Sequence, residues 1–151
     1  MPIEFKHVHF TYDTLDEQLF QDVQLTLDTK WKLGLIGRNG RGKTTLLKLL
    51  MKELPYTGVI FSDEPFVYFP FEIADRSMLT LYAIEAVMPL EQWRLERECQ
   101  LLGLDKAVLW IPFEQLSGGE QTKVMLAALF CDENRFQLLD EPTNHLDVQA
   151  R

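Results

Sequence analysis

Apolar and polar residues alternate along Val23-Gln24-Leu25-Thr26-Leu27-Asp28, and this period of two predicts a half-buried strand. Trp31-Lys32-Leu33-Gly34-Leu35-Ile36 predicts a second, short strand running into Gly37. The period then changes. Leu46, Leu47, Leu49, Leu50 and Met51 share a broad apolar helix face, with Pro55 as its stop. Val59-Ile60-Phe61 and Val67-Tyr68-Phe69 read as two further short strands.

From Met78 onward the spacing is helical. One helix runs through Leu79–Ile84 to end near Met88-Pro89, and a charged amphipathic helix follows from Glu91 to Leu102, closed by Gly103. Another helix covers Glu120 to Phe130, and Phe136-Gln137-Leu138-Leu139 predicts a buried strand ending on Asp140-Glu141. This layout predicts an α/β core with a helical insertion over about residues 76–116.

The chain has 151 residues, 46% of them hydrophobic, which suits one domain with a packed core. It holds no apolar run long enough for a membrane helix, and its first residues lack the pattern of a secretory leader. The formal net charge of −8 argues against a broad nucleic-acid clamp, yet leaves room for a local phosphate site built from backbone donors. Cys99 and Cys131 form no CxxC pair and read as small core residues, consistent with a reducing, cytoplasmic setting. The three histidines lack zinc-ligand spacing.

Gly37-Arg38-Asn39-Gly40-Arg41-Gly42-Lys43-Thr44 matches GxxxxGK[ST] in full, between a predicted strand and a predicted helix. The glycines let successive N–H groups curl around phosphate oxygens, and the helix N-terminus adds partial positive charge. Lys43 would then bridge the β- and γ-phosphates of ATP, and Thr44 would offer its hydroxyl to Mg²⁺. Thr45, the next residue, is included in the nucleotide-binding set with residues 37–44.

Downstream, Leu116-Ser117-Gly118-Gly119-Glu120-Gln121 resembles the signature of the ATP-binding-cassette (ABC) ATPases. Phe136–Pro142 resembles their Walker B strand with its trailing glutamate, and Asn144-His145-Leu146-Asp147 resembles their D-loop. The resemblance implies a P-loop ABC cassette: a parallel core sheet, an antiparallel β subdomain and a short helical insertion, C-terminally truncated. Residues 1–75 would be the nucleotide-binding core with the β subdomain, 76–116 the insertion, and 117–151 the signature helix, Walker B and D-loop. It further implies that Asp140 holds Mg²⁺, that Glu141 polarises the attacking water, and that Asp147 couples paired sites. Ser117, Gly118, Gly119 and Glu120 would meet the nucleotide bound by an opposing cassette, and Tyr12 would stack on adenine. His145 is not the family's switch histidine, which lies beyond the D-loop.

Phe71 departs from the pattern, since the family usually has a glutamine there that senses Mg²⁺ and the lytic water. A phenylalanine can do neither. Either another residue such as Glu72 substitutes, or the site hydrolyses slowly and serves as a clamp.

The short insertion and Pro142-Thr143-Asn144-His145-Leu146-Asp147 resemble the ABC-F proteins, tandem-cassette ATPases that act on the ribosome. Glu91–Glu98 and Val108–Phe113 resemble the antibiotic-resistance, Lsa-type members of that branch, which protect ribosomes from drugs. The implied partners are a second cassette of the same protein and the ribosome, without membrane insertion. The alternative is the nucleotide-binding subunit of a membrane transporter, which shares all four motifs. On the resemblance, the chain is expected to be an N-terminal piece of a two-cassette protein of about 500 residues. It would hydrolyse ATP weakly alone, and apolar surface at its core strands would favour self-association.

Overall fold

The computed structural model describes residues 2–14, 16–36 and 42–143. They divide into two compact units, one formed by the described residues up to 68 with 134–140, the other by residues 69–133 with 141–143.

The first unit is built on three antiparallel strands in the order β2–β1–β3: β1 (Pro2–Phe10), β2 (Phe20–Asp28) and β3 (Thr57–Ser62). β1 is central and carries the buried Ile3, Phe5, Val8 and Phe10. The step from Phe5 to Val8 crosses a bulge. Lys6 pairs with Val59 and His9 with Thr57, so three steps on β1 face two on β3. His7 lies at φ 49° within that step, and Gly58 opposite lies at φ 93°. A Cβ on Gly58 would sit 2.2 Å from the His7 carbonyl oxygen, so a side chain has no room there. β2 bulges in turn at Asp22 (φ 44°), where its carboxylate accepts from His7 Nδ1 at 2.6 Å.

Helix α1 (Lys43–Leu50) packs Leu49 and Leu50 into the core formed by Ile3, Phe5, Val8, Phe10, Ile60 and Leu138. It stops well before Pro55. Lys52 turns left-handed at φ 57°, its N–H donates to Leu49 O, and the Glu53 N–H donates to Lys48 O. That pair of reversed bonds satisfies the last carbonyls and ends the helix locally, without the proline.

Strands β4 (Phe66–Phe69) and β5 (Phe136–Leu139) pair with each other. The Phe136 N–H donates to Pro65 O at one end, and Tyr68 meets Asp140 at the other, so the two strands run in the same direction. Two expectations are corrected here. Trp31–Ile36 forms no strand, because among the described residues no neighbouring strand takes up its backbone groups, and Trp31, Leu33, Leu35 and Ile36 are exposed, Ile36 by 95%. β5 is not a buried strand: β4 is its one ladder partner among the described residues, Leu138 alone is buried, and Leu139 is exposed.

The second unit is helical, with α2 (Thr80–Val87), α3 (Gln92–Leu101), α4 (Gly118–Phe130) and short 3-10 turns at Lys106–Trp110 and Phe113–Gln115. α3 packs on α4, and α2 on the first 3-10 turn. Thr80 is fully buried, and both its N–H and its hydroxyl donate to Ile111 O. With Phe113 N–H on Met78 O and Glu114 N–H on Arg76 O, this stitches the start of the insertion to the segment entering α4. Cys99 is buried as expected. Cys131 is half-buried instead, at the C-terminus of α4, where its thiol donates to Ala127 O at 3.3 Å.

Candidate nucleotide-binding site

Gly42 precedes α1 at φ 92°, and a Cβ there would press against Leu19 and Phe20 at 3.2 Å. The first turn of α1 carries no acidic residue, so no carboxylate of that turn competes with an anion for the helix N-terminus. Lys43 is half-buried and Thr44 exposed in this turn.

The Thr44 hydroxyl donates to Asp140 Oδ1 at 3.2 Å, across 96 residues of chain. The other carboxylate oxygen, Oδ2, accepts from the Tyr68 hydroxyl at 2.5 Å. Immediately after Asp140 the backbone turns left-handed at Glu141, φ 46°, a conformation costly for a residue with a side chain and characteristic of functional turns. A hydroxyl and a carboxylate brought together at a helix start and a strand end are hard oxygen donors, which fit Mg²⁺ and not zinc. No cluster of three or more His, Cys, Asp or Glu suited to a metal exists among the described residues.

Thr45 is buried one residue later and shares a 2.5 Å hydrogen bond with the Tyr12 hydroxyl. The Tyr12 ring stands edge-on to Phe10, centroids 4.7 Å apart. The two predicted nucleotide contacts are therefore joined to one another, with Tyr12 anchored at its hydroxyl end.

In the helical unit Ser117 caps α4. Its hydroxyl accepts from the Glu120 N–H at 3.2 Å, and the Glu120 carboxylate accepts from the Ser117 N–H at 2.9 Å. Gly118 and Gly119 open the helix, and Ser117 and Gly118 are exposed. Gln121 holds the approach: its amide donates to the carbonyls of Phe113 and Leu116 and accepts from Arg76 Nη2, whose guanidinium lies over the Phe113 ring. Phe71 is half-buried and Glu72 exposed in the coil after β4.

Burial pushes the Cys99 thiol up to about 12 and the Cys131 thiol up to about 11. The Ser77 hydroxyl and N–H lower Asp75, and the hydrogen bond from His7 lowers Asp22.

The structure thus brings together Thr44 with Asp140 and Tyr12 with Thr45. Gly37, Arg38, Asn39, Gly40, Arg41 and Asp147 lie outside the described residues. Tyr68, Gln121 and Arg76 went unnoticed in the sequence. Tyr68 looks like any aromatic strand residue, and the one available signal was its place at the end of a β-run, two residues from a proline.

A family model described as "ABC transporter" matches residues 20–144. The chain is 33% identical over 99% of its length to ABC transporter F family member 2 of Arabidopsis thaliana, covering 23% of that protein. It is 34% identical over 97% of its length to Protein GCN20 of Saccharomyces cerevisiae, covering 20%. ATP-binding cassette sub-family F member 3 of Mus musculus is 30% identical over 98% of the chain, which covers 22% of it. The chain therefore spans less than a quarter of the length of these relatives. A Pyrococcus furiosus structure described as an ABC transporter (ATP-binding protein) superposes with a TM-score of 0.83 at 22% identity, over 99% of this chain and 80% of that one. A structure described as a cobalt transport ATP-binding protein superposes at 0.75 with 25% identity, over 99% and 62%. The fold is that of the P-loop ABC ATPase cassette, mixed α/β with an antiparallel β subdomain. With its motifs in that family's order and its matched segment covering most of the sequence, the chain belongs to the ABC transporter ATP-binding domain family, and F-type proteins are among its relatives.

Proposed function

We propose that the chain binds and hydrolyses ATP as one cassette of a pair, and that the whole protein is an ABC-F ATPase of the cytoplasm, acting on the ribosome to give antibiotic resistance. The observation that carries the ATPase reading is the hydrogen bond between Thr44 and Asp140. It joins the phosphate-loop helix to the acidic strand end, where a Mg²⁺·ATP complex would be held.

Residues 37–45 cradle the phosphates and Lys43 balances their charge. Thr44 and Asp140 would hold Mg²⁺, which when bound would neutralise charge on the phosphate oxygens. Tyr12 supports adenine. Glu141 accepts a proton from water as its oxygen attacks the γ-phosphorus and the bond to the bridging oxygen breaks, leaving ADP and phosphate. Ser117, Gly118, Gly119 and Glu120 present a helix N-terminus to the opposing nucleotide, and Asp147 links the two sites.

The F-type relatives support the ribosomal reading. The test is sedimentation of the full chain carrying Glu141→Gln with ribosomes through sucrose, with and without Mg·ATP. ATP-dependent pelleting is the expected result. No association while ATP is bound would favour the nucleotide-binding subunit of a membrane transporter instead.

A further inference from the structure

Asp140 is gripped from two sides. Its Oδ1 accepts from Thr44 on α1, while its Oδ2 accepts from Tyr68 on β4, the strand paired beside its own. A carboxylate has two oxygens and rotates about one bond, so a donor fixed on Oδ2 determines where Oδ1 points. We propose that Tyr68 is the positioning residue of the Mg²⁺ site, holding the Asp140 carboxylate so that Oδ1 faces the Thr44 hydroxyl.

The backbone makes Tyr68 suited to this. Val67 and Phe69 are buried on one side of β4 and fix the strand, while Phe66 and Tyr68 share the other side. Phe66 is locked edge-on against Phe136 at the start of β5, centroids 6.0 Å apart, and Tyr68 reaches the end of the same strand. The phenol hydroxyl is thus delivered by a rigid ring on a paired strand. Its O–H donates to Oδ2 and leaves Oδ1 and the Thr44 oxygen as the pair to meet a cation.

This inference rests on the ATPase reading, and the test separates the two. In the full chain, Tyr68→Phe removes one oxygen and keeps the ring. Binding of a fluorescent ATP analogue is measured in EDTA and across a Mg²⁺ titration, and Mn²⁺ binding to the nucleotide complex is followed by electron paramagnetic resonance. Tyr68→Phe is expected to leave analogue affinity in EDTA within twofold of wild type and to weaken the metal about tenfold. On an Asp140→Asn background the same substitution should change metal binding less than twofold. Unaltered metal binding by Tyr68→Phe, or an equal loss with and without metal, would overturn the positioning role while leaving the ATPase reading in place. A wild-type protein that binds no analogue under any condition would overturn both.

Discussion

Ser117 and Glu120 satisfy each other across the first turn of α4, the serine hydroxyl on the glutamate N–H and the glutamate carboxylate on the serine N–H. Because that hydroxyl accepts from its own helix, the proton it carries is the one it can donate outward. The same atom both starts the helix and offers a donor to a phosphate. Ser117→Ala is expected to cost about 1 kcal/mol of stability in urea unfolding and to lower ATP turnover as well. Ser117→Asp should restore most of the stability and none of the turnover, since a carboxylate caps a helix but repels phosphate.

Lys43→Ala should abolish detectable tight ATP binding by calorimetry, a loss of about 10–100-fold on the worth of a charge-assisted hydrogen bond. Far-ultraviolet circular dichroism should be unchanged, because an alanine keeps α1 helical. Retained affinity would mean that the phosphate loop is not the nucleotide site.

Gly58→Ala is expected to destabilise the chain by about 3 kcal/mol, since the new Cβ would meet the His7 carbonyl oxygen at 2.2 Å in a left-handed conformation. A thermal melt within two degrees of wild type would show that the β1 bulge can relax.

The strand β2, the helix after the phosphate loop and the body of α4 were legible because each has a local cause: alternation at residues 23–28, apolar spacing at 46–51, and a helical run over 120–130. What escaped was set by partners distant along the chain. Trp31–Ile36 has the composition of a strand but pairs with no strand among the described residues, and Leu139 is exposed where β5 has one ladder partner among them. The hydroxyl of Tyr68 finds its acceptor 72 residues away, which no window of sequence displays.

Alkaline pH should loosen the helical unit. The thiols of Cys99 and Cys131 ionise near 12 and 11 in the folded chain, against a reference value of 9.0. Between about pH 9 and 12 the unfolded chain has lost these protons while the folded chain retains them, so stability falls as pH rises through that window. It is unaffected by these groups below pH 9. Urea midpoints at pH 8 and pH 10.5 check this. A Cys99→Ala variant should lose less between the two pH values than wild type does, and both thiols should react slowly with iodoacetamide at pH 7.5.

Trp31, Leu33, Leu35, Ile36 and Leu139 are exposed apolar side chains, and the chain is expected to self-associate through them. Sedimentation velocity should show a concentration-dependent shift above about 10 μM, reduced by Ile36→Lys. A single monomeric boundary at high concentration would count against it.

The extra residue in β1 has an effect at the far end of that strand. Buried positions are odd-numbered up to Phe5 and even-numbered from Val8, so the bulge changes the parity of everything after it. Phe10 and then Tyr12 inherit the even phase, and it is this phase that turns the Tyr12 hydroxyl toward Thr45 on α1. Deleting His7 would leave the other side chains of the strand and Tyr12 chemically intact, yet would shift Tyr12 into the opposite phase. Whether an aromatic ring stands beside the phosphate-loop helix is therefore decided by counting, five residues upstream, and not by the tyrosine itself.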